Sequence, residues 1–196
     1  MTDSVDEVEI EVGAESSRLA LFGAAAAAVI LVAFITVLAT SSTDQHSLAN
    51  SPLIAEPAPL IDATTLAGGT FDLDAERGKW VVVNFFATTC IPCVIEHPEL
   101  VAFDEAHQPI GDASVVSIAF SDSARNVEEF FIENGGDWAV IGEDTGRHAI
   151  EYGVAAVPET YLVSPTGIVT SKFIGGITQV DLENEIARLS GSVGPS

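Results

Sequence analysis

Basic residues are scarce in this sequence. Seven Lys and Arg stand against 29 Asp and Glu among 196 residues, a formal net charge of −22. So few cations leave nothing to neutralise a phosphate backbone, which argues against nucleic acid as a partner. The acidic excess bears on solubility and on repulsion between copies, and says nothing about fold. Cysteine is scarcer still, with only Cys90 and Cys93. A structural disulfide framework normally has four or more cysteines closing long loops. Two cysteines three apart restrict the unfolded chain hardly at all, so bridging them adds little stability. The pair therefore calls for a chemical role. No internal repeat is evident, and the length suits one ordinary domain plus an appendage.

Charge of either sign is absent from Leu19 to Thr40, 22 residues reading LALFGAAAAAVILVAFITVLAT. At 1.5 Å per residue such a helix is long enough for the roughly 30 Å hydrocarbon core of a bilayer. A buried core helix rarely stays apolar on every face over this length. A cleavable signal peptide has a basic leader and a shorter apolar stretch. Here the leader is acidic, with six Asp and Glu and no base in Met1–Ser17. Residues 1–18 thus read as an acidic disordered tail and 19–40 as an uncleaved transmembrane anchor. Arg18 flanks the run on one side, and no Lys or Arg follows until Arg77. By the positive-inside rule the N-terminus stays inside, giving a single-pass protein of the cell membrane with an extracytoplasmic C-terminal domain.

Residues 41–59 are rich in Ser, Thr, Ala and Pro without periodicity and are predicted to form a flexible linker. The folded domain is expected over 60–190, with 191–196 a disordered tail. Within it, Lys79–Phe86 (KWVVVNFF) is a continuous apolar run, the pattern of a central strand buried on both faces. Ile91–Ala106 has helical spacing, and Ser114–Phe120 is a second buried strand. Ser123 is placed to cap a helix over Ala124–Asn134 that Gly135-Gly136 stops. A short strand near Trp138–Ile141 and a helix over Thr145–Tyr152 follow. Two strands, Thr160–Ser164 and Ile168–Phe173, flank a turn at Pro165-Thr166-Gly167, and Gln179–Leu189 closes as a helix. This alternation indicates an α/β domain, a mixed central sheet flanked by helices.

Cys90-Ile91-Pro92-Cys93 falls between the central strand and the helix that follows it, a redox signal in α/β context. Free backbone N–H groups and the dipole at a helix N-terminus favour an anion. Up to ~2 kcal/mol from the dipole, against about 1.4 kcal/mol per pKa unit, lowers a thiol pKa appreciably. Cys90 would be the nucleophile and Cys93 the resolving thiol. Pro92, early in the helix, forfeits no hydrogen bond and stiffens the turn. Haem attachment needs His directly after the second Cys, where Val94 stands. A structural zinc site needs four ligands, and His97 adds only one to the pair. A peroxidase pattern of Thr and Pro before the cysteine is missing, with Val83 and Ala87 at those positions.

WVVVNFFATTCIPCVIEHPEL and YGVAAVPETYLVSPTGIV resemble two signature blocks of the membrane-tethered, extracytoplasmic thioredoxins of the TlpA/ResA/DsbE (CcmG) group, across about residues 60–189. The resemblance implies a thioredoxin-like three-layer α/β/α domain behind one transmembrane helix. It matches Pro158 to the family's cis-proline, which packs on the disulfide, and Glu96 to an acid in the active-site helix that tunes the thiols. Cys90, Cys93, Glu96 and Pro158 become the catalytic candidates. Pro92, Val157, Pro158 and Glu159 become the partner-binding ones. Asn84 falls where ordinary thioredoxins bury an acid. On their residue types alone, Glu96 and His97 read as well as solvated helix residues, and Pro158 as a trans loop proline.

Two departures stand out. Thr89 replaces the Trp usual before the first cysteine, and Phe86 replaces another in the strand. The first removes a large cover from the thiols and leaves Thr89 free to cap the helix.

The implied activity is dithiol–disulfide exchange with protein thiols and disulfides, without a bound cofactor beyond the redox-active Cys90–Cys93 disulfide and without a metal. The implied substrate is apocytochrome c, reduced before haem attachment, with electrons from a membrane electron-donor protein. Two alternatives stay open: an oxidant that installs disulfides in exported proteins, and a non-enzymatic metal-delivery or redox-sensing module. Potentials of CxxC proteins span about −270 to −120 mV, and Ile91-Pro92 does not place the chain on that scale.

Overall fold

The computed structural model of the chain describes residues 15–40, 46–142 and 145–191. Residues 1–14 of the expected acidic tail, 41–45 of the expected linker and 192–196 of the expected C-terminal tail lie outside the described residues. The chain divides into two units, Met1–Thr43 and Asp44–Ser196.

The first unit is helix α1 (Glu15–Thr40). It takes in the last four residues of the stretch read as tail, because each residue added to a nucleated helix gains a hydrogen bond. Side chains are described for residues 22–36 of α1, and all are exposed. Among the described residues, no helix is long and apolar enough to cross a membrane.

In the second unit the strands are β1 (His46–Leu48), β2 (Asp62–Thr64), β3 (Thr70–Asp72), β4 (Trp80–Phe86), β5 (Ala113–Ala119), β6 (Ala139–Ile141), β7 (Glu159–Val163) and β8 (Val169–Gly175). The helices are α2 (Ile91–His107), α3 (Ala124–Asn134), α4 (Arg147–Tyr152) and α5 (Gln179–Gly191). One sheet has the order β1-β8-β7-β4-β5-β6, and β2 and β3 form a separate hairpin. β4 runs parallel to β5 and antiparallel to β7, so the sheet is mixed.

β4 is apolar at nearly every position because both its faces are covered. Val81, Val83 and Phe85 point to one side, into a cluster with Tyr161, Val163, Ala149 and Tyr152 of α4, and Phe71 of β3. Val82 points to the other, packed with Leu100 and Phe103 of α2 and Leu182 of α5. Phe86, on that same side, meets Cys93 and the α3 residues Val127 and Phe130. Alternation along one strand thus builds the three α/β/α layers.

The stretch read as a linker is partly built into this domain. β1 pairs antiparallel with β8, and Pro57 bridges Ile168. Pairing through the backbone needs no side-chain periodicity, so composition gave no sign of it. The β2–β3 hairpin also went unread, its strands being three residues each. It inserts Ile61 and Phe71 into the core.

Phe103 is fully buried between β4 and the α5 side. Phe103→Ala is expected to cost about 3–5 kcal/mol, read as a lower urea midpoint with an unchanged m-value.

Candidate functional site

β4 ends at Phe86, and four residues later Cys90 caps α2. Its Sγ accepts the Cys93 N–H at 3.3 Å, so the sulfur itself occupies the capping place for which Thr89 was a candidate. Thr89 is exposed and makes no cap. A sulfur that accepts a backbone N–H on the helix axis sits where a negative charge gains most. Pro92 follows at the first turn, exposed, where its missing N–H costs nothing.

The two cysteines are joined as a disulfide, with Cα atoms 5.2 Å apart. Cys90 is half-buried whereas Cys93 is 3% exposed. A partner's sulfur can therefore reach Cys90 first, and Cys93 can act only inward on Cys90. Ile91, Val94 and Ile95 surround this entrance with exposed apolar side chains.

The opposite wall comes from the loop before β7. The Val157–Pro158 peptide bond is cis, and the Val157 carbonyl oxygen stands 3.5 Å from Cys90 Sγ. Pro158 is buried and Val157 half-buried. Two stretches some seventy residues apart meet because β4 and β7 are sheet neighbours, with Phe85 opposite Glu159.

Glu96 is not a solvated helix residue. It is 2% exposed and lies one turn after Cys93. Its carboxyl accepts from Asn84 Nδ2 at 2.9 Å and from the Ile177 N–H at 3.1 Å. Burial pushes its pKa up to about 8, although both hydrogen bonds pull it down. Asn84, on β4, also donates to Thr160 Oγ1 at 3.1 Å across the β4–β7 pair. Its amide thus serves the acid directly instead of satisfying a backbone group.

His97, read as a surface residue, is 4% exposed. Its ring packs on Phe130, Phe131 and Trp138, and Nε2 lies 2.9 Å from the Gly135 carbonyl oxygen. Burial lowers its pKa. The solvated alternative fails for both residues for one reason: α2 is covered over two flanks, by α5 and by α3, and a single helix sequence does not reveal the second.

Glu159, a partner-binding candidate, is 2% exposed and turned inward. It accepts the Ala155 N–H at 3.2 Å and pairs with Lys172 Nζ at 2.8 Å.

Asp122 is a site residue that no motif announced. It follows Ser121, whose backbone is left-handed at φ 52°. One oxygen accepts the Thr88 N–H at 2.8 Å and the Thr88 hydroxyl at 2.6 Å. The other accepts from Ser123 N and Asn126 Nδ2. Burial opposes its charge, yet these hydrogen bonds hold the carboxyl below the usual carboxylate range. The turn leading to Cys90 is thereby tied to the start of α3. Among the described residues no group of three or more His, Cys, Asp or Glu could hold a metal ion.

The AhpC/TSA family model matches residues 54–172. Thiol:disulfide interchange protein CycY of Rhizobium leguminosarum bv. viciae is 36% identical over 110 residues, 56% of this chain and 57% of that protein. Thiol:disulfide interchange protein HelX of Rhodobacter capsulatus is 30% identical over 109 residues, 55% of this chain and 59% of that protein. The chain therefore spans less than two thirds of the length of these curated relatives. The crystal structure of a thiol:disulfide interchange protein of the thioredoxin family from Chlorobium tepidum TLS superposes with a TM-score of 0.63 at 24% identity. It covers 71% of this chain and 98% of that one, and shows that the fold is thioredoxin-like. The chain belongs to the AhpC/TSA family, whose model takes in both cysteines, Glu96 and Pro158.

Glu96 sets a pH dependence. Its folded pKa is raised above the unfolded value of 4.5, so the folded state keeps a proton that the unfolded state has released. Its contribution is full below about pH 4.5 and is lost as pH rises through about 8. The stability difference between wild type and Glu96→Gln, from urea titrations at several pH values, should shift towards the variant across that window. Thr88→Val, which removes one donor to a carboxylate, should cost about 1–2 kcal/mol in the same titration.

Proposed function

We propose that the chain is a membrane-tethered thiol–disulfide oxidoreductase that exchanges disulfides with proteins outside the cytoplasm through Cys90 and Cys93. The observation that carries this reading is the capping of α2 by the Cys90 sulfur, with its partner sulfur buried behind it. That geometry lowers the cost of a thiolate at Cys90 and keeps the second thiol for an internal step.

Reduction of a substrate disulfide then takes two displacements. The Cys90 thiolate attacks one substrate sulfur, an S–S bond breaks, and the other substrate sulfur leaves as a thiolate. The Cys93 thiolate next attacks the Cys90 sulfur of the mixed disulfide and releases the second substrate thiolate. Two electrons pass from the dithiol to the substrate, and the Cys90–Cys93 disulfide remains. The disulfide is itself the redox group, so the reaction calls on no bound cofactor or metal. Glu96, protonated up to about pH 8, is a proton reserve beside the resolving cysteine.

The substrate class we favour is apocytochrome c, reduced before haem attachment, with electrons returned by a membrane donor protein. Its support is the resemblance of both signature blocks to the TlpA/ResA/DsbE group and the likeness to the interchange proteins CycY and HelX. The anchor and the outside location rest on the uncharged run Leu19–Thr40 and the lone flanking Arg18.

Cys93→Ala should leave the mixed disulfide on Cys90 unresolved and trap partners on non-reducing gels. Apocytochromes c among the trapped proteins support the reading. A broad spread of exported proteins would instead favour a general oxidant. Stoichiometric copper or zinc on the wild type, without trapping, would favour a metal-delivery module.

A further inference from the structure

Lys172 has no place in the exchange chemistry, yet it is a buried cation beside the site, 7% exposed on β8. Its Nζ lies 2.8 Å from Glu159 Oε2 and 5.1 Å from the centroid of the Tyr161 ring. The Tyr161 hydroxyl lies 3.2 Å from the same carboxyl oxygen and 2.7 Å from the Tyr152 carbonyl oxygen at the end of α4. The other carboxyl oxygen of Glu159 accepts the Ala155 N–H at 3.2 Å. Cross-strand register puts these groups together: Tyr161 lies opposite Lys172 and Glu159 opposite Ile174, so all three side chains share the α4 face of the sheet.

A loop is closed by this cluster. Gly153 to Pro158 leaves the end of α4 and returns to β7 at Glu159, and its own residues Ala155 and Ala156 are exposed. Within it Val157 presents its carbonyl 3.5 Å from the Cys90 sulfur. A buried carboxylate is costly unless it is paired. Lys172 pairs it, and Glu159 can then hold the Ala155 N–H.

We propose that Lys172 and Glu159 act as a clamp that positions the 153–158 loop for extended protein partners, making Lys172 a positioning residue for partner choice and not for the sulfur chemistry. Glu159 serves from inside the loop, without touching the partner. An extended chain laid beside Val157 adds like a strand and depends on backbone placement. A small disulfide has no backbone to pair and needs only the Cys90 sulfur. The inference rests on the exchange reading given above.

The test compares the reduced full chain with two oxidants: bis(2-hydroxyethyl) disulfide, and a disulfide-bonded peptide carrying a CxxCH sequence. In Lys172→Met the rate with the peptide should fall about tenfold, the equivalent of about 1.4 kcal/mol for one lost hydrogen bond. The rate with the small disulfide should stay within about twofold, as expected when Cys90 keeps its helix cap. Glu159→Gln/Lys172→Met leaves no buried charge and keeps an acceptor for the Ala155 N–H, so it should recover most of the peptide rate. If Lys172→Met does not fold, this double variant is compared with Glu159→Leu/Lys172→Met, which has no acceptor for the Ala155 N–H: a peptide rate about tenfold lower in the latter supports the clamp, and equal peptide rates in the two overturn it. Equal losses with both oxidants in Lys172→Met, or no loss with either, also overturn it. A wild type inert to both oxidants overturns the exchange reading beneath it.

Discussion

The start of α2 can stabilise a negative sulfur only if that sulfur is held on the helix axis, and most of the domain serves this requirement. Cys90 caps the helix with its own side chain, so a small displacement of residues 87–90 removes the cap and the electrostatic benefit together. Three anchors oppose such displacement. β4 arrives from the centre of the sheet, paired on both sides. Asp122 grips Thr88 by two hydrogen bonds from across the β5–α3 turn. Phe86 and Cys93 are packed into the cluster made with α3.

Behind the disulfide lies a buried polar chain, which would be expensive if any member lacked a partner. Trp138 Nε1 donates to Ser117 Oγ at 2.9 Å, and Ser117 lies 3.5 Å from Asn84 Oδ1. Asn84 in turn supplies Glu96 and Thr160. An amide at position 84 has both donor and acceptor to offer, so it joins the acid to the strand network without adding a second buried charge. The protein thus concentrates its titratable character in Glu96, and desolvation keeps that group neutral over the range where an exposed glutamate is ionised.

Much of the frame was legible from sequence, for reasons that also explain what was not. The run Lys79–Phe86 could only be a doubly covered strand, and it forms β4 over Trp80–Phe86. Ser123 caps α3 as its position implied, accepting the Asn126 N–H. These signals are local. β1 owes its conformation to backbone partners far along the chain, and the β2–β3 hairpin, though paired locally, has only three residues in each strand in which to show a pattern. Glu96, His97 and Glu159 carry polar side chains whose burial depends on which elements pack over them. Asp122 and Lys172 sit in unremarkable sequence, beside a left-handed turn and in the middle of a strand, and only the assembled sheet brings them to the site.

The two walls of the site are held by different chemistry, and this separates what each can control. Around the sulfurs, the cap, the packed Cys93 and Glu96 act on charge and protonation. Around the 153–158 loop, the ion pair and the Glu159 hold on the Ala155 N–H act on shape, together with backbone hydrogen bonds at the two ends of the loop. Both walls are registered to each other by the β4–β7 ladder, in which Asn84 faces Thr160 and Phe85 faces Glu159. Neighbouring positions therefore point to opposite layers: 84 and 160 feed the acid beside the thiols, while 159 feeds the loop. A one-residue slip of β7 would exchange these roles, placing a carboxylate against Asn84 and a threonine against Lys172. The continuous burial of β7 across all five of its residues makes that slip costly, and so the sheet that specifies the fold also keeps proton chemistry and partner placement on separate faces.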